Sequence, residues 1–293
     1  MSLEPAALLI QVLNGLQLAM LLFLLSVGLS VVFGMMNFIN LAHGTLYMLG
    51  AFIGLAAARH LGSFWAALVV APLGVALIGA VLHFALLRRI QSAAPMKQVL
   101  VTFGLIFVGL EAVRMIWGTF SHSIPMPGAL SGSLTVLGEV YPVYRLFIIA
   151  LGAVVMVALY LGLERTRIGA VVRAGVDNRS MAAVLGIDIE RTFFLVFCLG
   201  CALAGLAGVV AGPVFAVYPG MDMEILILTL IVVVVGGPGS LPGAVAGSLL
   251  IGMAETFGQV FVPAFSSVMI YVVMAAVLLL KPGGLMPVRT LHQ

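Results

Sequence analysis

Charge is what this chain of 293 residues has least of: Asp, Glu, Lys and Arg together make up 8% of it, and only two of its thirteen basic residues, Lys97 and Lys281, are lysines. Soluble domains carry about 25% charged residues, so this scarcity excludes a soluble globular fold. The shortage of lysine excludes a second class. A P-loop needs a lysine after glycine and before Ser or Thr to cradle phosphates, but Gln98 follows Lys97 and Pro282 follows Lys281. The chain cannot hydrolyse ATP by that route. Cysteine is equally scarce. Cys198 and Cys201 form a C-x-x-C inside an apolar run with no further ligand near in sequence, which reads as two small buried thiols and not as a metal site. No H-E-x-x-H appears, and no nucleophile stands at helical spacing from a base, so an intramembrane enzyme is a distant reading. No cofactor or metal is expected. Glu4 precedes the first apolar run, no basic residue does, and no small-residue cleavage site follows it; the first helix is expected to stay in place.

What the chain does have is hydrophobic residues, 63% of the total, and a mean hydropathy of +1.28. Crossing a hydrocarbon core takes about 20 apolar residues per helix. The fold class expected is therefore all-α, a polytopic transmembrane helical bundle forming a single domain over residues 1–293. Crossings are predicted at about 8–32, 38–58, 64–87, 99–117, 146–163, 192–210, 225–235, 244–257 and 266–280, the seventh and eighth being short. That makes about nine, with broken or re-entrant helices among them.

Nine of the 23 charged residues lie between Glu164 and Arg191. This is the one substantial water-exposed internal loop, and because basic loops are retained on the cytoplasmic side, it orients the chain. Together with Arg88, Arg89, Lys97, Lys281 and Arg289 it places ten basic residues inside and leaves Arg59, Arg114 and Arg145 outside. The N-terminus is then outside and the C-terminus inside, which requires an odd number of crossings. Within the loop, residues 177–185 read as a short helix capped by Asp177 or Asn178 and ended by Gly186. Met181, Val184 and Leu185 give it an apolar side suited to a groove on another protein.

Irregular backbone survives at membrane depth only where protein or a water-filled cavity satisfies it. Two stretches read that way. In residues 34–50, Asn37, Asn40, His43, Gly44 and Thr45 interrupt the apolar sequence; in residues 236–247, five glycines and two prolines fall between two short runs. Broken helices present free N–H or C=O ends to whatever fills the cavity. Glu255 stands alone in an apolar run, where a carboxylate costs about 2.5 kcal/mol or more unless a partner or a wet cavity offsets it. Glu111 and Arg114, spaced i,i+3, are expected to form an ion pair. Asp222 and Glu224 precede the seventh crossing and suit the positive end of a helix.

The run Asn40-Leu41-Ala42-His43-Gly44, preceded by Gly34-Met35-Met36 and followed by Tyr47-Met48-Leu49-Gly50, resembles the N-x-A-H-G region of the branched-chain amino acid (Liv-type) permeases of bacterial ABC importers. The stretch from Arg173-Ala174 to Gly186-Ile187, the loop from Gly236 to Gly243 and the C-terminal Lys281-Pro282-Gly283-Gly284-Leu285 agree with it, in order along nearly the whole chain. Lys281 stands where arginine is more usual, and Pro238 where a larger apolar residue is.

The resemblance implies an inner-membrane permease subunit for branched-chain or related amino acids. Its implied partners are a second homologous permease, two cytoplasmic ATPase subunits and an extracytoplasmic solute-binding protein. It also implies that the short loop helix is the coupling helix held by an ATPase, with Arg173, Asp177, Asn178, Met181, Ala183, Leu185 and Gly186 in that region. The expected translocation path comprises Asn37, Asn40, His43, Gly44, Thr45, Gly237, Gly239, Ser240 and Glu255. The competing class is a self-sufficient ion-coupled secondary transporter or channel for a small polar solute such as an amide or urea.

Overall fold

The computed structural model describes residues 5–36, 40–90, 93–136 and 138–287, without the side chains of 35, 36, 177, 179 and 267. Asn37 and Arg289 lie outside the described residues. A chain this apolar has to satisfy its backbone internally in lipid, and helices do so. The helices are α1 (Pro5–Met36), α2 (His43–Leu61), α3 (Phe64–Leu82), α4 (Arg88–Ile90), α5 (Pro95–Trp117), α6 (Val143–Arg165), α7 (Arg167–Asp177), α8 (Arg179–Val184), α9 (Ile189–Ala211), α10 (Met221–Gly236), α11 (Leu241–Phe261) and α12 (Ser266–Leu280). A π-helical turn, His83–Leu87, joins α3 to α4, so the two run on as one rod. Among the described residues, six segments are long and apolar enough to cross a membrane: those of α1, α3 with α4, α5, α6, α9 and α11.

Two details depart from the expected layout. The polar loop after α5 folds into a hairpin, with β1 (Ser133–Val136) antiparallel to β2 (Glu139–Pro142), Ser133 opposite Pro142 and Val136 opposite Glu139. The bundle is therefore helical apart from this one ribbon. The eighth run is not short: α11 has 21 residues, because Pro242 lies in its first turn, where a missing N–H costs nothing, and Ser240 caps it. Of the two expected caps of α8, Asn178 takes the place: its Oδ1 accepts from Met181 N at 2.9 Å, and Asp177 ends α7.

Hydropathy does not separate α1 and α9 from α5 and α6, yet burial does. The most apolar stretch of α1 is 78% buried and that of α9 67%, against 17% for α5 and 11% for α6. α1 and α9 form the centre and α5 and α6 the lipid-facing rim. The central pair is antiparallel, meeting at Gly28 and Gly200, where a Cβ on Gly28 would come within 2.8 Å of the Gly200 carbonyl oxygen. Small residues at that crossing allow the backbones to touch.

Around this pair the chain repeats itself upside down. α1 packs antiparallel on α11, with Gly15 facing Met253 and Gly34 facing Gly239; α9 packs antiparallel on α3, with Gly79 facing Cys201 and Gly205 facing Val75. Each central helix is followed by a break and then by a helix running back beside the other one: α2 lies against α9, and α10 against α1. The units α1–α2–α3 and α9–α10–α11 thus have opposite directions and matching neighbours. No sequence repeat betrays them.

The two ends of the bundle differ. One carries Arg88, which meets Glu190 at 2.9 Å, together with α7, α8 and the glycine turn after α10; it is called here the basic end. The hairpin end carries the β-ribbon, Arg59 beside His122 and the Glu111–Arg114 pair at 2.7 Å.

Candidate functional site: two helix starts, a glycine turn and a cavity

The break after α1 does not simply turn the chain around. His43 Nε2 lies 3.1 Å from the carbonyl oxygen of Leu25; since a carbonyl only accepts, Nε2 carries the proton and donates. Leu25 is eleven residues before the end of α1, so α2 starts roughly 16 Å back along α1, inside the bundle. The turn leading into it is closed by Asn40, whose Oδ1 accepts from Ala42 N at 3.2 Å and whose carbonyl accepts from His43 N at 3.2 Å. Asn40, His43 and Thr45 are all buried.

The break after α9 does the same from the other side. Val209, near the end of α9, faces Gly54, whereas Gly220, just before α10, brings its N–H to 3.5 Å from Met48 Sδ, further back along α2. α10 has 16 residues, about 24 Å of helix, and begins inside the bundle beside the start of α2. There Thr45 Oγ1 donates to Asp222 Oδ2 at 3.0 Å, and Gly44 packs on the Asp222 carbonyl and Leu226. The positive ends of two antiparallel helices meet over one buried carboxylate, which both dipoles favour.

The glycine turn lies elsewhere. Gly237 and Gly239 have φ of 105° and 80°, and Ser240 Oγ caps α11 by accepting from Gly243 N at 3.0 Å. Gly239 N–H donates to Ser30 Oγ at 3.1 Å. The C-terminal glycine stretch closes over the turn, with Leu285 N donating to Val235 O at 2.8 Å and Met286 N to Gly236 O at 3.0 Å, which satisfies the otherwise orphaned last carbonyls of α10. A small cavity of about 180 Å³ separates Gly239, Ser240 and Pro242 from Arg173 and Val176 of α7 and from Glu164. Arg173 pairs with Glu164 at 3.5 Å.

Glu255 stands in a third place, lining a cavity of about 480 Å³ between α1, α10, α11 and the segment before α10. Its walls are leucine-rich (Leu18, Leu21, Leu22, Leu25, Leu228), and its polar side chains include Gln11, Asn14, Gln17, Arg145, Tyr218, Glu224 and Gln259. Of the expected path residues that are described, only Glu255 lines it; Asn40 to Thr45 form the junction of α2 and α10, and Gly237 to Ser240 sit at the basic end. The structure distributes them over three depths of the bundle. Gln11, Asn14, Arg145 and Tyr218 were not singled out from sequence. The i, i+3, i+6 spacing of Gln11, Asn14 and Gln17, one polar stripe on an apolar helix, is the signal that would have found part of the cavity.

At the basic end, α8 presents Met181, Val184 and Leu185 to solvent, 57%, 82% and 72% exposed, while Ala182 is buried and anchors it. Asn178, Ala183 and Gly186 are exposed too, and Gly186 ends the turn with φ 83°. Among the described residues there is no cluster of three His, Cys, Asp or Glu that could hold a metal ion.

A helical membrane bundle with broken helices meeting inside it and a cavity of mixed polarity is a multi-pass membrane permease in form. Over residues 11–278 the chain matches the family described as branched-chain amino acid transport system / permease component, and it belongs to that family. It is 29% identical over 290 residues to the high-affinity branched-chain amino acid transport system permease protein BraD of Pseudomonas aeruginosa, covering 94% of each chain. It is 26% identical to LivH of Escherichia coli, again over 94% of both. It is 28% identical to a probable LivH of Methanocaldococcus jannaschii, over 90% of this chain and 88% of that one. No solved structure matches.

Proposed function

We propose that this chain is one permease subunit of an ABC importer for branched-chain or related amino acids. It works in the inner membrane beside a second homologous permease, with two cytoplasmic ATPases and an extracytoplasmic binding protein. The observation that carries the reading is the match of nearly the whole chain to permease components of such systems, joined to the absence of any P-loop lysine in the sequence. Energy then comes from partners, and the exposed apolar side of α8 is the surface that receives it.

The proposed topology has nine crossings, with α2 and α10 as members that start inside the bundle, the N-terminus outside and the basic end in the cytoplasm. Its support is the clustering of Arg88, Arg89, Lys97 and the five arginines from Arg165 to Arg191 at one end. The proposed path runs from the large cavity past the Asn40 to Thr45 junction, with Asp222 beside it, to the Gly237 to Ser240 turn. The turn and α7 line the same small cavity, across which movement at the ATPase surface reaches the inner mouth. Asn37, outside the described residues, is assigned to the same path from sequence.

The test is uptake of radiolabelled leucine into proteoliposomes. Uptake by the complete assembly, with binding protein outside and ATP inside, and none by this chain alone is the expected result. Uptake by the chain alone under an ion gradient would overturn it in favour of a secondary transporter.

A further inference from the structure

The large cavity holds an unsatisfied group. Each of its carboxylates has one oxygen engaged: Tyr218 donates to Glu224 Oε2 at 3.1 Å, and Gln259 Nε2 donates to Glu255 Oε1 at 2.6 Å. The other oxygen of Glu255, Oε2, is buried and has no hydrogen-bond partner among the described residues. A carboxylate oxygen removed from water without a donor is costly, and more so in a membrane protein. Gln259 supplies a dipole and no charge. What the position lacks is a cation with N–H donors.

Two features of the cavity narrow the identity of that cation. No group of metal-ligating side chains accompanies Glu255 among the described residues, so a bare metal ion would find too few ligands. The same cavity also presents a fixed cation: Arg145 donates through Nη1 to Asn14 Oδ1 at 2.6 Å, which holds the guanidinium in place and leaves other N–H groups of its five for an anion. The same cavity has an apolar wall that includes Leu18, Leu22 and Leu228. One buried carboxylate oxygen without a donor, one fork for a carboxylate and a branched apolar surface describe a zwitterion with an aliphatic side chain.

We propose that this cavity receives the substrate as an α-amino acid zwitterion, with its ammonium on Glu255 Oε2, its carboxylate on Arg145 and its side chain against the leucine wall. The assignment rests on the reading of the chain as an amino acid permease and names the groups that recognise the substrate within it. Glu255 then selects for a free α-amino group, and an ammonium, with three donors, satisfies the oxygen that the protein leaves bare.

The experiment is leucine uptake by the complete assembly in proteoliposomes carrying wild type, Glu255→Gln or Glu255→Asp, with ATP hydrolysis stimulated by the leucine-loaded binding protein measured in parallel. Glu255→Gln keeps the shape and the bond to Gln259 and removes the charge. It is expected to lower uptake about tenfold or more while stimulated ATP hydrolysis stays within about twofold, and Glu255→Asp to recover most of the uptake. Wild-type uptake by Glu255→Gln overturns the assignment, as does parallel loss of uptake and hydrolysis in both variants, which marks Glu255 as structural. Failure of the wild-type assembly to take up leucine overturns the amino acid permease reading itself, and stimulated hydrolysis without leucine uptake in wild type identifies that case.

Discussion

The hydroxyl of Thr45 donates to Asp222 Oδ2 at 3.0 Å, across 177 positions of sequence. This bond joins the first turn of α2 to the first turn of α10, the two half-helices that start inside the bundle. Its energetic weight comes from its setting, since a hydrogen bond to a charged group is worth about 1.5–3 kcal/mol.

Thr45→Val keeps the shape and removes the donor. It is expected to destabilise the protein by about 2 kcal/mol and to cut leucine uptake by the full assembly, while Thr45→Ser retains both. Thermal unfolding in detergent alongside the uptake assay checks this; equal behaviour of the Val and Ser variants would show that the bond does not hold the half-helices.

At the central crossing, Gly28→Val drives a side chain into the Gly200 backbone, which can move only if α1 and α9 separate. Overpacking of this kind costs typically about 1–3 kcal/mol, and more where the obstacle is backbone. Gly104→Val, on rim helix α5 with open space around it, is the matched control and is expected to change little. Melting temperatures of the two variants decide the matter.

If α8 is the ATPase surface, replacing Met181 and Val184 together by Asp places charge on an exposed apolar face without touching the core, since Ala182 is the buried residue. The variant is expected to insert normally and to lose co-purification of the ATPase subunits to about a tenth of wild type or less, as for a central anchor of an interface. Normal recovery of the ATPases would move the docking surface elsewhere.

Orientation is tested with single cysteines at Ser131 and Ile168, both exposed, after Cys198 and Cys201 are replaced by Ala. An impermeant maleimide added to intact cells is expected to label position 131 at once and position 168 only after permeabilisation. The reverse pattern would invert the topology.

Much of this protein is legible in its sequence because hydrophobicity decides it locally. Long apolar runs become helices wherever they stand, and the scarcity of charge alone excludes a soluble domain. The ends of α8 were legible too, with Asn178, one of the two candidate caps, at its start and Gly186 just past its end. The helix α11 reads too short in sequence because the glycines and prolines of residues 236–247 look like a break that runs into it, and its end beyond residue 257 carries the polar Gln259. In the fold Glu255, Thr256 and Gln259 face a cavity, which lets polar residues continue a membrane helix. The ribbon at β1 and β2 was missed because eight residues around Gly138 carry no periodicity longer than a turn.

What the sequence determined by itself is the solvent, the helices and the end at which the basic residues gather, because each depends on neighbouring residues and on transfer from water to lipid. What the tertiary structure decided is depth and company. Lipid is as apolar as leucine, so hydropathy does not distinguish the central α1 and α9 from the rim; close backbone contact at glycines such as Gly28 and Gly200 does. The same contacts start α2 and α10 inside the bundle, bring Thr45 to Asp222 and separate Glu255 from both. Pairings between residues so far apart are set by packing, and no local pattern in the chain encodes them.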